Sequence, residues 1–494
     1  MSIIFKFPQK IILFLAAALV FGSACVQRTP EMSLDIPVHK VTLPNGMRFL
    51  IVHREGAPIF TGYIRVGVGG YDEPMGKTGI AHLLEHMAFK GTPEIGTTDY
   101  QAEAKYLAEL ETIAQALKTA DSKQKPKLLK QFEAVRSKAN EFVIKEAFSK
   151  IYNQNGGDDL NATTSQDVTS YFVSLPNSKL ELWAYLESSR LKDSVFREFY
   201  AERDVVLEER RMRVDDSPFG AAYEAFLDLA FDKSPYQYPT IGFAKDVANL
   251  TATDLYQFYH EYYIPSNIVG AVVGNVDVGE TEKILQKYFG EIPSPKSKPE
   301  IKVEPEEFQA RYKVLYQDSN PFMMIGFPKP TLPHPDDYAF DLLDQVICGG
   351  LTSHFYQRLV IQEKLVNSLE CDSSTPGVRA QNLYFIYASL LPGHEGQEVL
   401  KALYDELNKI THEGINPQAI ERARKNLLAG IFYGLEQNSE LASILSFYEL
   451  LAGDWKYLIE HPQKIKSLQA SDLQKIISTY LKPERAIVVE VKKK

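Results

Sequence analysis

The sequence predicts an α+β protein of two homologous domains, each an antiparallel sheet packed with helices, joined by a linker and closing as a clamshell. Three observations carry this. At 494 residues the chain is too long for one ordinary hydrophobic core. Leu250-Thr-Ala-Thr-Asp-Leu255 recurs as Leu468-Gln-Ala-Ser-Asp-Leu473, 218 residues later, and without a gap Tyr262 then aligns with Tyr480 and Pro265 with Pro483. Between the copies lies Pro293-Ser-Pro-Lys-Ser-Lys-Pro299, which has the composition of a linker. These features set a first domain over 39–292, a linker over 293–305 and a second domain over 306–494.

The elements follow in chain order. Lys6 and Lys10 precede an apolar run over 11–21 that is too short to span a bilayer, and Gly22-Ser23-Ala24 then offers small residues for cleavage. Residues 1–24 therefore read as an export signal. Small residues directly before Cys25 resemble a lipobox, which makes Cys25 the expected site of lipidation; ordinary cleavage after Ala24 is the alternative. The expected location is periplasmic, as a membrane-anchored bacterial lipoprotein, with 25–38 as its tether. Nothing after Cys25 favours retention in the inner membrane, since Val26 follows it.

Two strands are expected around the Asn45-Gly46 turn, and a third over 61–68. Helical periodicity over 78–90 places Ile80, Leu83, Leu84 and Met87 on one face, with Gly91 as a stop. Residues 101–150 hold no glycine and one proline, Pro126, among many Ala, Leu, Lys, Glu and Gln. They read as two long amphipathic helices inserted in the first domain. Such a pair either projects as a coiled-coil-like hairpin or packs in the ordinary way. Each copy of the repeat reads as a capped helix, a Pro turn and a closing strand, over 268–273 and 486–491.

Composition excludes several classes of function. Apolar residues make up 45% and charged residues 24%, the balance of a soluble globular chain. The net charge is −10 and no concentrated basic run appears, so no nucleic-acid partner is expected. If Cys25 is lipidated, Cys348 and Cys371 are the remaining thiols; one disulfide is possible between them, and without a CxxC they make no zinc cluster.

The chemistry concentrates at His82-Leu83-Leu84-Glu85-His86. Positions i and i+4 share a helix face, so both imidazoles can reach one metal, with Glu85 beside them to take a proton from water. Catalytic zinc usually takes three protein ligands and leaves a position open, so a third is sought elsewhere. Glu202-Arg-Asp-Val-Val-Leu-Glu208-Glu209 is the best source: Glu202 and Glu209 stand two turns apart on one face, one able to bind metal and the other to orient a ligand. A merely solvated charged helix is the other reading.

HLLEHMAFKGT together with ERDVVLEE resembles the inverted-zincin peptidases, the M16 family that contains pitrilysin, insulysin and the mitochondrial processing peptidase. NATTSQDVTSYF resembles the family's N-A-x-T segment, and the duplication fits its processing-peptidase-like bacterial branch. The resemblance implies a zinc endopeptidase holding one Zn2+ per chain through His82, His86 and Glu209. It makes Glu85 the general base and Glu202 the carboxylate behind a ligand, with Glu208 as competitor to Glu209. Peptide would add as a strand near Asn161 and Ala162. The second domain, lacking HxxEH, would supply substrate contacts, with Arg379 and either Tyr387 or Tyr384 as candidates against the alternative of core aromatics. Members of this size commonly pair, so a homodimer or a related second subunit is expected, unless the chain is a silent binding or assembly protein of the same fold. The chain departs from the pattern in the 123 residues from His86 to Glu209, roughly forty to fifty more than the family motif implies. The 101–150 helices account for the excess and bear on substrate access.

Overall fold

The computed structural model describes residues 34–294 and 298–494. The expected leader, most of the expected tether and Cys25 lie outside the described residues, as do 295–297 of the expected linker. Among the described residues no helix is long and apolar enough to cross a membrane.

The first half builds six strands: β1 (Val38–Thr42), β2 (Arg48–His53), β3 (Ile59–Val66), β4 (Asp158–Thr164), β5 (Thr169–Pro176) and β6 (Ile268–Gly274). They lie side by side as β1-β2-β6-β3-β5-β4. The second half builds β7 (Arg311–Gln317), β8 (Phe322–Lys329), β9 (Val366–Thr375), β10 (Asn382–Leu390) and β11 (Ile487–Lys493), in the order β7-β11-β8-β10-β9. Without β1 the two orders superimpose, so the duplication read from one repeated segment extends to the topology. The repeat's helices are Ala252–Tyr262 and Ala470–Tyr480, each leading through a short Pro turn into β6 or β11. The sheets are not purely antiparallel as expected. β6 runs parallel to β2 and β11 parallel to β7, because each closing strand arrives by a helical crossover and inserts between two earlier strands.

Both faces of each sheet are apolar, and one face is covered by helices of the same half. The other face is covered by exchange. Helix Asn438–Leu451 of the second half lays Leu441 and Leu445 against Leu50, Tyr63, Val269 and Val273 of the first sheet. Helix Pro218–Ala230 of the first half packs Phe226 and Leu227 against Met324, Phe385 and Val489 of the second. Buried Glu449, on the exchanged helix, takes Lys40 at 2.7 Å and Arg48 at 3.0 Å. Within the span expected as a tether, Leu34 and Ile36 pack against the same cluster and Val38 is already in β1.

The inserted helices are Tyr100–Thr119 and Lys125–Asn140. They take the ordinary packing. Leu110, Ile113, Ala114 and Phe132 join the first core, Glu103 forms a buried ion pair with Arg197 at 2.9 Å, and Glu111 accepts from Tyr200 and Thr253. A third helix, Ala147–Gln154, returns the chain to β4.

Cys348 and Cys371 form a disulfide with Cα atoms 6.2 Å apart, tying the end of helix Asp337–Ile347 to β9. Tyr384 is fully buried in the second core, its hydroxyl donating to Asp344 at 2.9 Å. This overturns its candidacy as a substrate contact, since neither ring nor hydroxyl is free. Burial, against the Tyr384 hydrogen bond and with Asp341 and Asp372 adding repulsion, pushes the Asp344 carboxyl up to about 7.

Two outcomes follow from this packing. Leu445→Ala should lower the unfolding free energy by about 2–5 kcal/mol and raise amide exchange in β3 and β6, read by denaturation and hydrogen exchange; unchanged exchange in those strands would contradict the bracing role. Asp344 binds its proton more tightly folded than unfolded, so its contribution to stability is present in acid and is lost as pH rises from about 4 toward 7. Melting temperatures against pH should therefore show Asp344→Asn gaining on the wild type across that window and running parallel to it above.

Candidate functional site

Helix Ile80–Met87 turns its apolar residues Ile80, Leu83, Leu84 and Met87 into the first core and leaves His82, Glu85 and His86 on the other side. It is shorter than the expected 78–90, because its start is set from outside the motif. Gly79 sits at φ +86°, and the buried Glu73 carboxylate accepts from Gly79 N at 2.7 Å and Ala81 N at 2.8 Å. Those amides have no partner within the helix.

Helix Phe199–Arg210 faces it, and the seven-residue spacing brings Glu202 and Glu209 to the same side. Glu209 Oε2 lies 3.4 Å from His86 Nε2 and 3.8 Å from His82 Nε2, and one ligand atom from each of the three residues falls within 4.8 Å of the others. Two zinc bonds of about 2.0–2.1 Å at a tetrahedral angle separate their donors by roughly 3.3 Å, so two imidazole nitrogens and a carboxylate placed this way fit that ion. Glu202 Oε1 accepts from His86 Nδ1 at 2.8 Å, which leaves Nε2 turned toward Glu209. Lys90 holds the other Glu202 oxygen at 2.7 Å, and Arg213 holds Glu209 Oε1 at 2.8 Å. Glu208 points away into an exposed pair with Arg211, so Glu209 and not its neighbour stands at the histidines.

The electrostatics separate the two imidazoles. Burial, with the neighbouring His86, brings His82 down to about 3, a neutral ring at any working pH. Burial acts the same way on His86, but the hydrogen bonds to Glu202 and Glu209 outweigh it and lift that ring to about 9. The His86 bond in turn holds Glu202 down at about 2. Burial raises the Glu85 carboxyl above the ordinary range, opposed by a 2.5 Å hydrogen bond from Thr164.

Beside Glu85 and His86 opens a cavity of about 560 Å³, walled by Phe89, Val143, Ile144, Asn161 and Ala162. Asn161 and Ala162 belong to β4, which pairs with β5 on one side and is the sheet's edge on the other. Asn161 turns its side-chain oxygen back to the Ala162 amide at 2.9 Å. Val143 and Ile144 follow the second inserted helix, so the insertion does border the site.

The second half contributes differently than expected. Arg379 is engaged: its guanidinium donates to Asp72 at 2.8 Å, stacks 4.5 Å over Tyr71 and lies 3.9 Å from Asp167. The residue expected at a peptide contact thus takes part in an ion pair between the halves. Tyr387 is half-buried beside Phe219 and Phe322. Sequence reading missed Thr164, Lys90 and Glu73. Lys90 could have been found four residues after His86 on the same face, and Thr164 within NATT; Glu73 carries no local pattern.

The comparisons agree with this architecture. The family description "Insulinase (Peptidase family M16)" matches residues 48–126, which hold His82, Glu85 and His86, and "Peptidase M16 inactive domain" matches 249–427. A zinc protease of Helicobacter pylori, PqqE, is 29% identical over 477 residues, 92% of this chain and 93% of that one. An uncharacterized zinc protease of Mycobacterium leprae is 28% identical over 434 residues, 86% of this chain and 84% of its own. The crystal structure of a protease from Helicobacter pylori superimposes with a TM-score of 0.79 at 26% identity, over 92% of this chain and 99% of that one. Matched in both halves, and aligned along nine-tenths of its length with a zinc protease, the chain belongs to peptidase family M16.

Proposed function

We propose that the chain is a zinc endopeptidase that hydrolyses peptides or unfolded segments, with His82, His86 and Glu209 as the ligands of one zinc ion and Glu85 as the general base. The observation that carries the reading is the meeting of these three donor atoms beside a buried carboxylate at the mouth of a cavity. A bound zinc ion supplies Lewis acidity toward water and toward the scissile carbonyl. The remaining work belongs to side chains. Glu202 keeps the His86 ring oriented, with Nε2 presented. Glu85, steadied by Thr164, takes the proton from the attacking water and returns it to the leaving amine.

A peptide adding to the free edge of β4 would lay its backbone along Asn161 and Ala162 and its side chain against Phe89, Val143 and Ile144. Backbone pairing reads little sequence, which supports broad specificity. The leader-like run and the small residues before Cys25 support export and lipid anchoring as part of the same reading.

Metal content and cleavage of a quenched peptide mixture test the proposal together. Wild type should bind one zinc per chain and cleave. Glu85→Gln should keep the zinc and lose about 10²–10⁴-fold in rate. Zinc bound by a wild type that cleaves nothing would favour a silent or partner-dependent subunit, and its absence would sink the assignment. Separately, Glu202→Gln should weaken zinc affinity about 10–100-fold, read by competition with a chromogenic chelator; an unchanged affinity would remove Glu202 from the site.

A further inference from the structure

We propose that Arg379 is a positioning residue through which the second half holds the reactive geometry of the first. It stands between two loops of the first half, each of which ends on the candidate site. One loop runs from Gly69 through Asp72 to Glu73. Asp72 takes the Arg379 guanidinium at 2.8 Å and the Gly69 amide at 3.1 Å, and the next residue, Glu73, caps the helix that carries His82, Glu85 and His86. The other loop is the β4–β5 turn. Its Asp167 accepts the backbone amide of Val378 at 2.6 Å and that of Arg379 at 3.3 Å, and three residues earlier Thr164 donates to Glu85. The two loops are also joined directly, Gly70 N to Ser165 O at 3.1 Å and Tyr71 N to Gln166 O at 2.9 Å.

The fit is close. A Cβ on Gly377 would meet an Asp167 carboxylate oxygen at 2.5 Å and the Tyr236 hydroxyl at 2.6 Å, so the backbone itself reaches into the first half. Asp72 and Asp167 are both buried, Tyr236 donates to Asp167 at 2.6 Å, and Lys298 of the linker lies nearby with its ammonium on Gly67 O at 3.2 Å. Desolvated ion pairs of this kind add little net stability over an apolar replacement but strongly disfavour arrangements that leave one partner unpaired. Separating the halves here would strand two buried carboxylates and release both loops. The site is thereby assembled only while the second half is seated.

Hydrogen exchange tests this independently of peptidase activity. In Arg379→Met, the amides of Gly79, Ala81 and residues 164–167 should exchange faster, while those of helix Gly396–Glu413 should not. Asp72→Asn, which keeps the shape and removes the charge, should give the same pattern and serves if the first variant does not fold. On the reading of the chain as a peptidase, kcat should fall roughly 10–100-fold with KM little changed, and Arg379→Lys should recover part of it. Arg379→Met and Thr164→Val should combine to less than the product of their separate effects. Unaltered exchange at 79–81 and 164–167, or strictly multiplicative losses in kcat, would overturn the proposal. A wild type without cleavage would leave the exchange result to decide it alone.

Discussion

Each sheet of this protein has two apolar faces, and each half has helices enough in its own run to cover one. Exchange of Pro218–Ala230 for Asn438–Leu451 closes the remaining faces and makes the halves mutually dependent. Burial of Phe226 against one sheet and Leu445 against the other is non-directional and sets how near the halves lie. Directional contacts then decide register: Glu449 receives Lys40 and Arg48, while Asp72 and Asp167 receive Arg379. A duplicated fold that merely abutted would not place a second-half arginine within one residue of the cap on the helix that carries His82, Glu85 and His86.

The site depends on the same economy of carboxylates. Glu73, Glu85, Glu202 and Glu209 lie within a small region, yet each is occupied differently. Glu73 caps backbone amides, Glu85 meets a hydroxyl, Glu202 binds an imidazole N–H and a lysine, and Glu209 faces two imidazole nitrogens with an arginine behind it. Burial raises Glu73 and Glu85 above the ordinary carboxylate range, the His86 hydrogen bond holds Glu202 below it, and at Glu209 burial is outweighed by the His86 bond and the His82 and Arg213 charges, which lower it. The split between His82 and His86 has the same origin, since only His86 has a carboxylate on both ring nitrogens.

How much was legible in the sequence varied with the range of the interaction. The i, i+4 spacing of His82 and His86 and the seven-residue spacing of Glu202 and Glu209 are properties of single helices, and both held within one helix each. The repeated segment forecast equivalent helix, turn and strand in both halves. The mixed direction of the sheets was not legible, because strand partners are chosen by crossovers from far along the chain. Nor was the fate of the 101–150 helices: their amphipathic pattern is compatible with projection or packing, and the Glu103–Arg197 pair that decides for packing spans 94 residues. Tyr384 misled for a related reason, since a residue type suited to substrate contact is equally suited to a core hydroxyl.

The sequence by itself determined the family, the duplicated α+β plan and the residues that share helix faces at the candidate site, since each is written in local spacing or in repeated segments. Tertiary structure alone decided that Glu73 caps the helix carrying the histidines, that Thr164 donates to Glu85, and that the two halves cover each other's sheets. Those outcomes depend on which desolvated donor finds which acceptor after the chain has closed, and no spacing along the backbone encodes that choice.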